Sequence, residues 1–307
     1  MSNYIVSDTS LGSVADAIRT KGGTSAPLTY PQGFIDAIDA ISGGGDEPIP
    51  EDGKTRIFIH IAEGTPYNRL TFYLRFMAST ASNTTVDWGD GTSETLGSTT
   101  ATNYSHKYAQ SGDYVITLTV IRGTISFVGT SGNSGHSIYG SRATADSNYI
   151  NRSRIERIIF GDDVTAVGDY ACYECTGLKS VTFLNKDTTI GQYAFYACHV
   201  LQSINIPDDI TTINQYEFYS CYALTQLTIP EGVTSIGASA FGYCRAMAEY
   251  HFKSVTPPTI ANSNAFTGIN SECVIYVPYS ADHSILDAYK TATNWSSYAS
   301  KMQEEPT

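Results

Sequence analysis

The chain has 307 residues, with 18 basic against 30 acidic side chains, a formal net charge of −12, and 41% hydrophobic and 16% charged residues. Such an acidic balance repels polyphosphates at long range, which excludes DNA and RNA as expected partners, and no apolar run is long enough to cross a bilayer. Twenty-two tyrosines and 26 glycines fit a mainly β, tight-turned protein with room for two or three domains.

Residues 1–42 read as a helical hairpin. Ser7, Asp8 and Ser10 offer N-caps, Leu11, Val14, Ala15 and Ile18 fall on one helical face, and Gly22-Gly23 ends the run. Pro31 opens a second helix whose Phe34, Ile38 and Ile41 form another stripe. Two helices this short support no core of their own, so their apolar faces must be buried elsewhere. The stretch LGSVADAIRTKGGTSAPLTYPQGFIDAIDAI resembles a segment near one end of tail, fibre and minor structural proteins of phages of Gram-positive bacteria. That resemblance implies an anchoring or oligomerisation end, carried by Leu11, Val14, Ile18, Phe34, Ile38 and Ile41. The alternative is a helical lid on the next domain.

Residues 43–54 form an acidic Gly/Pro linker. From 55 to 127 the pattern alternates as strands do, in Ile57-Phe58-Ile59-His60-Ile61, Leu70 to Phe76 and Tyr114 to Val120. Between them lie Val86-Asp87-Trp88-Gly89-Asp90-Gly91-Thr92 and His106-Lys107-Tyr108. Trp88 suits the space between two sheets, and Gly89-Asp90-Gly91 suits a hairpin turn. This wording resembles the PKD domain, an immunoglobulin-like β-sandwich. Asp87, Asp90, Glu94 and Asp113 offer oxygens for calcium, but their spacing matches no EF-hand loop and Asp-Gly pairs are ordinary turn formers, so no metal is expected.

Residues 128–153 are rich in Gly, Ser and Asn and read as an irregular connector or a first coil. Beyond them one pattern is written four times with a period of 23. Cys175, Cys198, Cys221 and Cys244 form one column, Leu178, Leu201, Leu224 and Met247 another, and Cys172, Phe195, Phe218 and Phe241 a third. A constant period in this range marks a solenoid whose units bury their apolar faces on one another. Each unit reads as a short helical turn such as Ala194 to Leu201, a strand such as Gln202 to Ile206, and a turn such as Pro207-Asp208-Asp209. IGQYAFYACHVLQSINIP and IGASAFGYCRAMAEYHF resemble the BspA-like leucine-rich repeat family, which implies a solenoid over 154–307 used for surface recognition and adhesion. The first unit departs from the pattern, with Cys172 in the Phe column and Asp187 in an apolar column, which implies looser packing there. Val274 to Pro278 and a helix holding Ile285, Leu286, Ala288 and Tyr289, with Trp295, Tyr298 and Met302, read as the closing cap.

Cysteines aligned in a ladder cannot surround a tetrahedral metal. They read as reduced core residues, with vertical disulfides as the alternative. The six histidines show no metal-ligand spacing, and no GxSxG elbow, P-loop or GxGxxG before a helix occurs; no enzyme, cofactor or metal is expected. Tyr170, Tyr193 and Tyr216 form one column and Tyr173, Tyr196 and Tyr219 another. They are the candidate ligand-binding residues, read as flat faces for sugar stacking or protein contact, the alternative being packing between coils. Met1-Ser-Asn-Tyr-Ile-Val shows neither a basic n-region nor an apolar h-region. The expectation is a phage virion appendage assembled in the host cytoplasm. It would be homo-oligomeric, fixed to other virion proteins by the hairpin, and would meet a host surface glycan or protein through its repeats without entering a membrane. A capsid or tail decoration protein and a bacterial cell-surface adhesin are the alternatives.

Overall fold

The computed structural model describes residues 49–97, 99–127, 136–141 and 151–306. The chain divides into Met1–Asp52 and Gly53–Thr307. The expected hairpin over 1–42, with Leu11, Val14, Ile18, Phe34, Ile38 and Ile41, lies outside the described residues.

The second unit opens with strands that bury alternate residues. On β1 (Thr55–Ile61) these are Ile57, Ile59 and Ile61, and on β2 (Thr71–Ala78) they are Phe72, Leu74 and Phe76; each strand therefore turns one face to the core. β3 (Thr84–Asp87), β4 (Ser93–Thr95), β5 (Thr102–Lys107), β6 (Gly112–Val120) and β7 (Ile125–Phe127) follow. β3 and β4 pair antiparallel around the Trp88-Gly89-Asp90-Gly91 turn, where Gly89 is required. Its φ is 80°, and a Cβ there would lie 2.6 Å from the Val115 carbonyl oxygen. Trp88 is buried, its carbonyl accepts the Tyr108 hydroxyl at 2.9 Å, and its ring stacks on His106 at 5.2 Å. β8 (His136–Ser137) and β9 (Gly140–Ser141) make a small hairpin.

The coils supply two rows of strands. One row is β10 (Ile155–Phe160), β12 (Ser180–Phe183), β14 (Ser203–Ile204), β16 (Gln226–Ile229), β18 (Glu249–Phe252) and β20 (Val274–Val277). The other is β11 (Val164–Val167), β13 (Thr189–Ile190), β15 (Thr212–Ile213), β17 (Ser235–Ile236) and β19 (Thr259–Ile260). A helix, α1 (Ser284–Thr291), and β21 (Met302–Glu304) close the far end, β21 pairing parallel with β20.

The boundary expected between residues 127 and 154 is not a break in the sheets. One sheet runs β14-β12-β10-β1-β6-β3-β4 and the other β13-β11-β7-β2-β5. β1 pairs antiparallel with β10, and β7 parallel with β11. The first coil would otherwise expose two strand edges, and the preceding strands cover both. Arg154, buried at 5% exposure, joins the two parts: its guanidinium donates to the Thr71 carbonyl and the Asn151 side chain, each at 2.9 Å, and to the Arg69 carbonyl. Burial lowers its pKa from the usual arginine value.

A file of aromatic rings runs through this core. Phe76, Phe127, Phe160, Phe183, Phe195, Phe218, Phe241 and Phe266 follow one another with ring centroids between 5.0 and 6.4 Å apart, and Trp295 meets Phe266 at 5.7 Å. Each buried Phe contributes roughly 1.5–3 kcal/mol. The file passes the first coil through Phe160 and Phe183, and Cys172, in the phenylalanine column, is itself fully buried. Exposed Asp187 yields its inward place to Thr188, whose hydroxyl donates to the Val164 carbonyl at 2.7 Å. At the far end Trp295 Nε1 donates to the Pro258 carbonyl at 2.7 Å and the Tyr289 hydroxyl to the Ser254 carbonyl at 2.9 Å. These two, with Tyr298 and Met302, are the expected buried cap.

Arg154→Met keeps an unbranched apolar stem but leaves three acceptors without their donor. It is expected to lower unfolding stability by about 2–4 kcal/mol in urea titrations; a loss below about 0.5 kcal/mol would mean that the guanidinium does not join the two parts.

Candidate functional site

The turns at one side of each coil are not the short helices expected from spacing. Tyr170 and Glu174, Tyr193 and Ala197, Tyr216 and Ser220, and Ser239 and Tyr243 all have φ between 52° and 60°. A left-handed residue at every fourth position stops an α-helix and costs roughly 1–2 kcal/mol. It also turns alternate N–H groups toward the next coil. Tyr170, Cys172 and Glu174 donate to the carbonyls of Gln192, Ala194 and Tyr196 at 2.7–3.0 Å. Tyr193, Phe195 and Ala197 donate in the same way to Gln215, Glu217 and Tyr219 at 2.8–3.1 Å. The turns thus form a third ladder beside the two sheets.

The cysteines support this ladder. Cys198, Cys221 and Cys244 point their Sγ atoms at the carbonyls of Cys172, Phe195 and Phe218 in the preceding coil, at 3.2–3.3 Å. All six cysteines are free and buried. Burial raises the thiols of Cys175, Cys198 and Cys221 and pushes Cys244 up to about 12 and Cys273 to about 11. They are packing groups and weak donors rather than nucleophiles.

The six candidate tyrosines stand together on this edge, all half-buried. Tyr170, Tyr193 and Tyr216 stack at 4.7 and 4.9 Å, and Tyr173, Tyr196 and Tyr219 at 4.8 and 5.1 Å. The rings of Tyr193 and Tyr196 are therefore covered on both faces, and a Cβ on Gly242 would lie 2.8 Å from the Tyr219 ring. The expectation of flat faces open to a sugar is corrected: in-register stacking at strand spacing turns the rings on one another and leaves edges and hydroxyls outward. Burial, then the neighbouring phenols, raises the pKa of Tyr193; burial likewise raises Tyr196 and Tyr219. Beside these columns His199 stacks on Tyr222 at 4.7 Å, Arg245 lies over Tyr222 at 5.2 Å, and Arg152 meets Glu174 at 2.6 Å. This row was missed because its residue types change from coil to coil.

The other candidate groups do not converge. Asp87 and Asp90 accept the N–H groups of Gly89 and Thr92 within their own turn, His106 bonds Asp90 at 2.7 Å, and His60 bonds Asp113 at 2.6 Å. His251 lies between Glu249 and Glu305, and His283 bonds Glu304 at 2.8 Å. Among the described residues no group of three or more His, Cys, Asp or Glu is placed to hold a metal ion. Nor is any helix among them long and apolar enough to cross a membrane.

The family profile for BspA-type leucine-rich repeats matches residues 144–272 in six copies. The likeness to that family covers less than half of the chain. The match extends on both sides of the four copies counted at a fixed period, and the interval stretches toward the end, from Phe241 to Phe266 for example. A leucine-rich cell surface protein of Faecalibacterium prausnitzii is similar, at 21% identity over 56% of this chain and 39% of its own, with a TM-score of 0.41. A leucine-rich repeat protein of Bacteroides ovatus follows at 20% identity over 50% and 43%, with a TM-score of 0.35. One of T. pallidum follows at 22% over 40% and 65%, with a TM-score of 0.31. The chain thus spans less than two thirds of each of these proteins. No curated protein matches it.

Within the BspA-type region Glu217 stands out, sharing its turn with Tyr216 and Tyr219. Its column otherwise holds Ala171, Ala194 and Ala240. The side chain is fully buried; Oε2 accepts the Asn214 N–H at 2.6 Å and Oε1 has no hydrogen-bond partner. Burial raises its pKa well above the ordinary 4.5, with the Asn214 hydrogen bonds pulling the other way. The folded carboxyl keeps its proton after the unfolded one has lost it, so stability falls as pH rises above about 4.5 and is unaffected below. Glu217→Gln is therefore expected to gain melting temperature over the parent between about pH 4 and about pH 7; a difference that does not change with pH would mean that the carboxyl ionises normally in the fold.

Proposed function

We propose that the chain is a surface-displayed recognition protein whose repeat region presents the tyrosine rows to a host surface. Residues 1–42 fasten it to a phage particle as a tail-fibre, receptor-binding or head-fibre type of appendage. One observation carries the recognition half: two in-register rows of tyrosine occupy an edge outside the core, whose interior Phe195, Phe218, Cys198 and Cys221 of the same turns fill. Hydroxyls and ring edges repeating every 4.7–5.1 Å suit a partner rich in hydrogen-bonding groups, a surface glycan or protein.

The virion half rests on the likeness of residues 11–41 to the end segment of phage structural proteins. An oligomeric anchor of that kind multiplies weak contacts into firm attachment. In this reading the PKD-like strands of 55–127 are the base on which the solenoid stands. A bacterial cell-surface adhesin is the second reading, and the BspA-type repeats favour it.

Tyr193→Phe with Tyr196→Phe keeps the stacks and removes two hydroxyls. Binding of the full chain to a panel of Gram-positive gut bacteria is expected to weaken on the order of tenfold at an unchanged melting temperature; binding equal to the parent's would retire these rows as the contact surface.

A further inference from the structure

The two strand rows lapse together at one plane. β11 pairs with β13 and β12 with β14, and beyond the plane β15 pairs with β17 and β16 with β18. Between them neither β13 and β15 nor β14 and β16 belong to a common sheet. The turn edge continues across, through the Tyr193, Phe195 and Ala197 N–H groups and the aromatic stacks, and beside it a single side-chain bond replaces the strand pairing. Along the turn edge the fit holds: Tyr196 and Tyr219 lie within 2° of parallel and Phe195 and Phe218 within 4°, and of the three stacks only Tyr193 and Tyr216 are tilted, by 25°.

Two departures from the repeat account for the lapse. Gly168, Gly191 and Gly237 share a column with Asn214. These glycines lie against the preceding coil and donate their N–H groups to Phe127, Val167 and Ile213 at 2.7–2.8 Å. A Cβ on Gly191 would sit 2.3 Å from the Asp169 nitrogen, and one on Gly237 would sit 2.4 Å from the Gln215 nitrogen. A Cβ alone does not open the column, since Ala261 follows Gly237 there and still donates its N–H to the Ile236 carbonyl at 3.0 Å; what sets Asn214 apart is where its donors go. Its N–H goes instead to Glu217 Oε2 at 2.6 Å, and its Nδ2 reaches across to the Ile190 carbonyl at 2.6 Å. Glu217 in an alanine column and Asn214 in a glycine column are thus partners.

On the sheet side the plane opens into a cleft of about 830 Å³ lined by Gln202, Asn205, Asp208, Thr228, Glu231 and Lys253. Asn205 keeps its wall fixed to the earlier coil, its side-chain amide bonding both the N–H and the carbonyl of Phe183 at 2.8 and 2.9 Å. We infer that this plane is a joint built into the solenoid: the Asn214–Glu217 pair leaves two neighbouring coils zipped along the tyrosine edge, with one side-chain bond to the Ile190 carbonyl in place of backbone pairing, and able to part along the sheets. The joint stands whatever the solenoid binds.

Native-state hydrogen exchange on the full chain tests this. In the parent, amides of Thr212–Ile213 and Gln226–Ile229 are expected to exchange at least about tenfold faster than those of Ser235–Ile236 and Glu249–Phe252. Asn214→Gly together with Glu217→Ala restores the repeat and is expected to slow the fast group about tenfold. Neither single change is expected to achieve this, because Asn214→Gly keeps the N–H that Glu217 holds, and Glu217→Ala keeps the Asn214 amide on the Ile190 carbonyl. Uniform protection across the coils of the parent would overturn the joint, and so would unchanged exchange in a folded double variant. If the double variant does not fold, the parent's profile decides alone.

Discussion

Every coil of this protein must lie on the next at strand spacing, with like residues in register. That single constraint sets the period of the repeat, the glycines where backbones touch, and the aromatic file from Phe76 to Trp295. It also explains a backbone that looks unfavourable in isolation. Left-handed tyrosines, serines, Glu174 and Ala197 cost energy one by one, yet these turns direct N–H groups into the neighbouring coil and seat rings on their counterparts. The local cost is offset only when coils are stacked, so the fold is cooperative between neighbours rather than within a unit.

The same constraint fixes what the proposed recognition edge can offer. Rings that must stack on one another to hold the coils together cannot also offer their faces to a ligand. What remains outward is a row of hydroxyls and edges, flanked by His199, Tyr222 and Arg245, and the joint between Tyr193 and Tyr216 crosses this row midway. Packing and contact are therefore properties of the same side chains.

Much of the solenoid was legible because in-register stacking writes identical residues at a constant interval, as in Phe195, Phe218 and Phe241 or Cys198, Cys221 and Cys244. The left-handed turns were not, since Tyr and Ala at those positions carry no glycine signal. Nor was the continuity of the sheets: β1 and β10 pair about a hundred residues apart, and no local pattern records such a partner. Arg154 carries no signal of its own in the sequence, since its buried role depends on carbonyls from Arg69 and Thr71. Asn214 and Glu217 depart from a glycine and an alanine column that the sequence reading did not single out, and only the coordinates show that they bond to each other.

The account stands on the claim that the strands of 55–127 close the first coil. The most direct measurement compares residues 49–307 with a fragment of 144–307 by circular dichroism and thermal melting. Without β1 and β7 the edges of β10 and β11 are bare and the aromatic file loses its first members. The account predicts a folded longer chain with one cooperative transition and a fragment that is unfolded or aggregated; a monomeric fragment melting at the same temperature as the longer chain would contradict it.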